Sequence, residues 1–180
     1  GSAAAFSFLA RAASRMCLEK QKTTLRVAAQ EKRYRTAREI GEKAATRIAD
    51  HLVSGFGSQS GCVVSGYLAI GSEIDVLPAL YELEACNLSA VLPVVLGDGE
   101  PLIFRRWRQG LKLEAGPFGT RHPAASSPEM APDLLILPLL AFDAEGYRIG
   151  WGGGFYDRTL IKLRAEKSVI AIGAAFSSQQ

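Results

Sequence analysis

A chain of 180 residues, 48% of them hydrophobic, has the length of one domain and enough apolar side chains for a sizeable core. Its formal net charge of +3 is too small to argue for nucleic acid, and no apolar run approaches the roughly 20 residues that cross a bilayer. Three scattered cysteines, Cys17, Cys62 and Cys86, with no C-x-x-C pair, indicate neither a disulfide framework nor a zinc site.

Gly1-Ser2 reads as a cleavage remnant. Ala3 to Arg15 is rich in Ala, Ser and Arg and lacks an acid, a faint likeness to a transit peptide, while Met16 offers an alternative start. Residues 1–18 are therefore expected to be a disordered or weakly ordered leader, ahead of one domain over 19–180. From Glu19 to Val53 the pattern is helical, with Ala37, Ile40, Ala44, Ile48 and Leu52 at three- and four-residue spacing. Lys20, Lys22 and Arg26 crowd its start and read, taken alone, as a solvated face. Ser54-Gly55 ends the helix, and Gly57 to Gly61 is a loop.

Cys62 to Ile70, Val-rich and bounded by glycines, predicts a strand. Cys62 and Cys86 lie in apolar stretches and read as packed thiols, which suits a reducing cytoplasm. Ser72 is the expected N-cap of a helix running to about Ala85 with Pro78 early in it. That puts Glu73 at the carboxyl end of a strand, where open α/β sheets place their ligand crevices; the plainer reading is an acid favoured by a helix N-terminus. Leu88–Leu96 and Leu102–Trp107 predict a hairpin across the turn at 97–100. Arg105, Arg106 and Arg108 beside Trp107 read as an exposed edge kept soluble by charge. Ala115 to Pro132 is expected to be loop. His51 and His122 have no partners at ligand spacing, His122 is expected to be solvated, and no Ser/His/Asp set presents itself.

Asp133–Leu140 predicts a buried strand, and Phe155, Leu160, Ile161 and Leu163 suit a short helix. Between them lies a glycine cluster, Gly150, Gly152, Gly153 and Gly154, where bared backbone N–H groups and a helix dipole would together favour an anion. The spacing is not G-x-G-x-x-G, and no Lys-Ser or Lys-Thr pair follows, so neither the dinucleotide fingerprint nor the phosphate loop is met. A structural turn is the plain alternative; Arg148, Tyr156, Asp157 and Arg158 in the same span favour a polyphosphate site. Asp157 should project from the first helical turn. Ser168–Ala174 is a final strand. Strands alternating with helices indicate an α/β domain with a largely parallel sheet.

Four segments together resemble the 5-formyltetrahydrofolate cyclo-ligase (methenyltetrahydrofolate synthetase) family: Lys22-Thr23-Thr24-Leu25-Arg26, Tyr67 to Ile74, Gly116-Pro117-Phe118-Gly119 with Pro123, and, most specific, Pro138 to Asp157. The resemblance implies a single-domain, three-layer α/β/α sandwich. It implies ATP and 5-formyltetrahydrofolate as substrates and Mg²⁺ as cofactor. Lys22, Arg26 and Arg148, with Gly150, Trp151, Gly152, Gly153, Gly154, Phe155 and Tyr156, would bind ATP, Arg148 and Lys22 being the catalytic charges. Leu68 and Glu73, with Trp151, Gly152, Gly153, Gly154 and Phe155, would bind the folate, and Asp157 the metal. The implied reaction phosphorylates the formyl oxygen and closes the ring to 5,10-methenyltetrahydrofolate; a non-catalytic nucleotide or folate module of the same fold is the alternative. Arg105, Arg106 and Arg108 are candidates for a polyglutamate tail. Family members continue with a Pro-rich stretch, a further metal-binding Asp and a last strand, so a C-terminal segment is expected to be lacking here. A cytoplasmic monomer without nucleic-acid or membrane partners completes the expectation.

Overall fold

The computed structural model describes residues 20–180, and the expected leader over 1–18 lies outside them. Helix α1 (Ser2–Phe56) runs past the predicted stop, closing on Gly57, whose N–H donates to Val53 O at 2.8 Å. Its core-facing stripe is Ala45, Ala49 and Leu52 with half-buried Ala37, Ala44 and Ile48. Ile40, predicted on that stripe, is 41% exposed. Arg33 is buried on the same face, one turn before Ala37.

Strand β1 (Val63–Ser65) is shorter than the predicted Cys62–Ile70. After it the chain leaves the sheet at Gly66, where a Cβ would meet Leu80 at 2.7 Å. Tyr67 then turns inward and donates its hydroxyl to Ile74 O at 2.9 Å. Helix α2 (Leu77–Ala85) starts four residues later than predicted, with Val76 rather than Ser72 at its N-cap. Ser72 does not cap it, because its hydroxyl accepts from Arg33 Nε. The helix begins instead where Pro78 can occupy the first turn without a missing N–H being felt, and Asp75 Oδ1 accepts from Leu77 N–H at 3.0 Å.

Strands β2 (Ser89–Val94) and β3 (Ile103–Arg106) form the predicted hairpin. The stretch expected to be loop contains a small hairpin, β4 (Leu113–Ala115) and β5 (Arg121–Pro123), around a one-turn 3-10 helix at Pro117–Gly119. His122, expected in solvent, is half-buried there with its ring over Gly116. Strand β6 (Leu134–Pro138) is buried throughout its apolar run. A second small hairpin, β7 (Ala141–Phe142) and β8 (Arg148–Ile149), separates it from the glycine cluster. Helix α3 (Phe155–Glu166) and strand β9 (Ile170–Ala174) follow.

The main sheet has the order β3-β2-β1-β6-β9, parallel except for β3. Side chains alternate between its faces. Val64, Ala90, Leu92, Leu134 and Ile136 pack under α1 and α2; Val91, Leu135 and Leu137 pack against Leu160 and Leu163 of α3. Burying both faces gives three layers, α/β/α, and explains why the central strands read as continuous apolar runs. The outer strand β3, predicted to be an exposed edge kept soluble by charge, is instead covered. Arg106 N donates to Pro128 O, the backbone at Arg105 forms an antiparallel bridge with that at Glu129, and the Arg106 guanidinium pairs with Glu84 at 2.9 Å. Trp107 is buried and stacks on Tyr81 at 5.4 Å, so it offers no surface to a base.

Candidate active site

From β1 the chain winds outward to β2 and β3 on one side, then continues as β6 and β9 on the other. The connections therefore diverge between β1 and β6, and a crevice opens beyond the carboxyl ends of those strands. Two cavities occupy it. One, about 290 Å³, is mainly apolar; Tyr67, Leu68 and Ile70 after β1, Val95 after β2 and Phe118 from the β4–β5 hairpin wall it, and Glu73 is its one carboxylate. The other, about 370 Å³, is lined by Lys22 and Arg26 of α1, Arg148 of β8, the loop Gly150–Gly154 and Asp157 of α3. Pro138, Trp151, Phe155 and Tyr156 belong to both.

The glycine loop is built by its neighbours as much as by its own residues. Arg26 Nε donates to Gly150 O at 3.1 Å, tying α1 to the loop across 124 residues of sequence. Gly152 has φ +104°, and a Cβ there would lie 3.2 Å from the Arg26 guanidinium carbon. Gly154, which precedes α3, has φ +67°, and a Cβ would lie 2.7 Å from Arg158 Nη1. Both positions have a left-handed backbone, which favours glycine, and a Cβ at either would also press on a neighbouring guanidinium. Arg158 Nη2 donates to Gly153 O at 2.8 Å while its guanidinium lies over the Phe155 ring. Among the described residues, the N–H groups of Trp151, Gly152 and Gly153 donate to no protein acceptor. With the first N–H groups of α3 they form a patch suited to an anion. Arg148 faces Asp157, Nη2 to Oδ1.

In the apolar cavity the Glu73 carboxylate is only 3% exposed. Its Oε1 accepts from Trp151 Nε1 at 2.9 Å and lies 3.7 Å from Arg33 Nη1; its Oε2 accepts from Ile70 N–H at 2.9 Å. Arg33 also donates to Ser72 Oγ and Leu139 O, and its guanidinium lies 5.3 Å from the Trp151 ring centre. Burial pushes the Arg33 pKa down and the Glu73 charge opposes that. Burial, then the Glu73 charge, pushes both Tyr67 and Tyr156 well above the usual phenol range, so each stays a neutral O–H.

The cavities gather the residues singled out in the sequence. Lys22, Arg26, Arg148, Gly150 to Gly154, Phe155, Tyr156 and Asp157 line the cationic one; Leu68, Glu73, Trp151 and Phe155 line the apolar one. Gly152, Gly153 and Gly154, expected to face both ligands, line the cationic cavity alone. Arg105, Arg106 and Arg108 line neither, whereas Arg121 borders the apolar one. Arg33 was missed. The signal for it was present: a cation in register with the apolar stripe, seven residues after Arg26. Among the described residues no group of three or more His, Cys, Asp or Glu is placed to hold a metal ion. Asp157 is the one carboxylate lining the cationic cavity, which fits Mg²⁺ of the kind held by one carboxylate and a substrate's phosphates.

Fold and site together define a three-layer α/β protein with an anion-binding glycine turn against an apolar pocket. The family model of the 5-formyltetrahydrofolate cyclo-ligases matches residues 18–180, and the chain belongs to that family. Over 119 residues it is 34% identical to the 5-formyltetrahydrofolate cyclo-ligase of Haemophilus influenzae, covering 63% of each chain. Over 124 residues it is 36% identical to that of Mycolicibacterium smegmatis, covering 63% of this chain and 62% of the relative. The chain thus spans a little under two thirds of these relatives. The solution structure of the Aquifex aeolicus 5,10-methenyltetrahydrofolate synthetase superposes with a TM-score of 0.70 at 28% identity, over 88% of this chain and 79% of that one. No helix of the described residues is long and apolar enough to cross a membrane.

Proposed function

We propose that this protein converts 5-formyltetrahydrofolate and ATP to 5,10-methenyltetrahydrofolate, ADP and phosphate. The observation that carries the reading is the shared wall. Trp151, Phe155 and Tyr156 separate a cavity suited to a flat, partly apolar ring from one suited to a polyphosphate. The reaction needs a phosphoryl group and a formyl oxygen to meet at such a boundary. The relatives' names, which specify a 5-formyltetrahydrofolate cyclo-ligase, support the folate substrate.

Oxygen is a poor leaving group from a formamide. The formyl oxygen therefore takes the γ-phosphoryl group, ADP departs, and the second folate nitrogen attacks the activated carbon. Phosphate leaves with the former formyl oxygen. Each step is a displacement between bound substrates, so the chain supplies position and charge rather than a nucleophile. In this reading Lys22, Arg26 and Arg148 compensate the charge on the phosphates, and the amides of the glycine loop accept the terminal one. Leu68 and the aromatic wall hold the pteridine, with Glu73 accepting from its N–H groups. Asp157 would hold Mg²⁺, which neutralises phosphate charge when bound. Tyr156 stays protonated and can donate to a phosphate or formyl oxygen.

The protein would work as a monomer, and in a reducing cytoplasm; the unpaired Cys62 and Cys86 support the compartment alone. The test is ADP release that depends on 5-formyltetrahydrofolate, with the methenyl product followed by its near-ultraviolet absorbance. Nucleotide binding without turnover would instead indicate the non-catalytic module.

A further inference from the structure

Arg33 is a buried guanidinium with no part in the scheme above. It sits on the same face of α1 as Lys22 and Arg26, four and then seven residues on, about 10 Å beyond Arg26 along the axis. Burying an arginine is costly unless its donors are used. Here Nε donates to Ser72 Oγ at 3.0 Å, Nη1 donates to Leu139 O at 3.2 Å and approaches Glu73 Oε1, and the guanidinium lies over the Trp151 ring. Those four partners come from the turn after β1, the end of β6 and the glycine loop. The same Glu73 oxygen accepts from Trp151 Nε1. Without Arg33, Glu73 would be a buried carboxylate with no opposite charge in contact.

We propose that Arg33 is a positioning residue that holds the Glu73 carboxylate and the Trp151 indole in register with α1, linking the apolar cavity to the cations of the other one. This rests on the proposed reaction for its kinetic consequences but not for its geometry.

The first measurement uses no substrate. In ¹⁵N-labelled protein the indole N–H of Trp151, separated from that of Trp107 by Trp151→Phe, reports the bond to Glu73. Arg33→Met is expected to shift this resonance and speed its solvent exchange about tenfold, a loss of the order of one hydrogen bond. Arg33→Lys, which keeps the charge, should do less. An unmoved resonance overturns the proposal; if Arg33→Met does not fold, Arg33→Lys decides by the same criterion.

The second measurement is kinetic. Arg33→Met should raise KM for 5-formyltetrahydrofolate about tenfold or more with kcat changed much less. The Arg33→Met/Glu73→Gln double variant should be within about twofold of Glu73→Gln alone, since both act on one carboxylate. Losses that multiply instead overturn the proposal. Should the unaltered protein make no methenyl product, the proposed reaction falls, and the indole resonance still judges Arg33.

Discussion

One cavity of this protein is walled by apolar side chains around a single buried carboxylate; the other is walled by backbone and cations around open space. In the first, polarity is fixed before any ligand arrives. Glu73 already has Trp151, Ile70 and Arg33 as partners, so a ring that enters meets acceptors that need not reorganise. In the second, Arg148 is matched to Asp157, and the glycine amides await an acceptor. A polyphosphate would rearrange those charges. The contrast separates recognition by preformed shape from recognition by mobile charge, and each half can be broken independently.

Arg148→Ala should have the largest effect. In the proposed reaction Arg148 compensates charge developing in phosphoryl transfer, so its removal is expected to cut turnover by about 100-fold or more, with the circular dichroism spectrum intact; near-full methenyl formation would remove Arg148 from the machinery. Gly152→Ala comes next. It forces an alanine to φ +104° against the Arg26 guanidinium, and should weaken nucleotide binding by calorimetry about tenfold while costing about 1–2 kcal/mol in stability. Unchanged affinity would show that the loop tolerates a different path.

Glu73→Gln acts on the other cavity. It should raise the folate KM about tenfold, the order of one charge-assisted hydrogen bond, and leave the KM for ATP nearly unchanged; equal rises in both would erase the division between the cavities. Trp151→Phe removes the Nε1–H donor and one ring of the aromatic wall while keeping the other, so a rise of about fivefold in folate KM is expected.

The smallest effect lies away from both cavities. Asp133 is partly buried, which alone would raise its pKa, but Lys167 and the Val63 N–H outweigh that and hold it below the ordinary value. A depressed carboxylate stabilises above its unfolded pKa of about 4 and loses that contribution as pH falls through the folded value. Asp133→Asn should therefore cost about 0.5–1 kcal/mol at pH 7, discounted for exposure. The difference from the unaltered protein should shrink below about pH 4, read by urea denaturation; a constant difference across that range would refute the linkage.

How far the site could be read in advance follows the same division. The cationic cavity takes most of its wall from residues 148–157, a continuous segment, and its glycines, Arg148 and Asp157 stood out together. The apolar cavity is assembled from residues 67–73, 93–95, 118–121 and 151–156 with Leu102 and Pro138; no local pattern links those pieces. Arg33 escaped notice because a cation on a charged helix looks solvated until a partner is placed beneath it. The β4–β5 and β7–β8 hairpins were missed for a related reason: two- and three-residue strands carry too few side chains for alternation to show.

Apolar periodicity, which depends only on neighbours a few residues apart, determined from the sequence the α/β class with its largely parallel sheet and the buried strands on either side of the crevice; the glycine turn before α3 was marked by its own composition, and the three layers were implied by the family resemblance. The tertiary structure alone decided that Tyr67 turns inward and shortens β1, that Ser72 serves Arg33 rather than α2, and that Trp151 closes on Glu73. The last two turn on hydrogen-bond partners 39 and 78 residues apart, and only the closed fold brings such partners together.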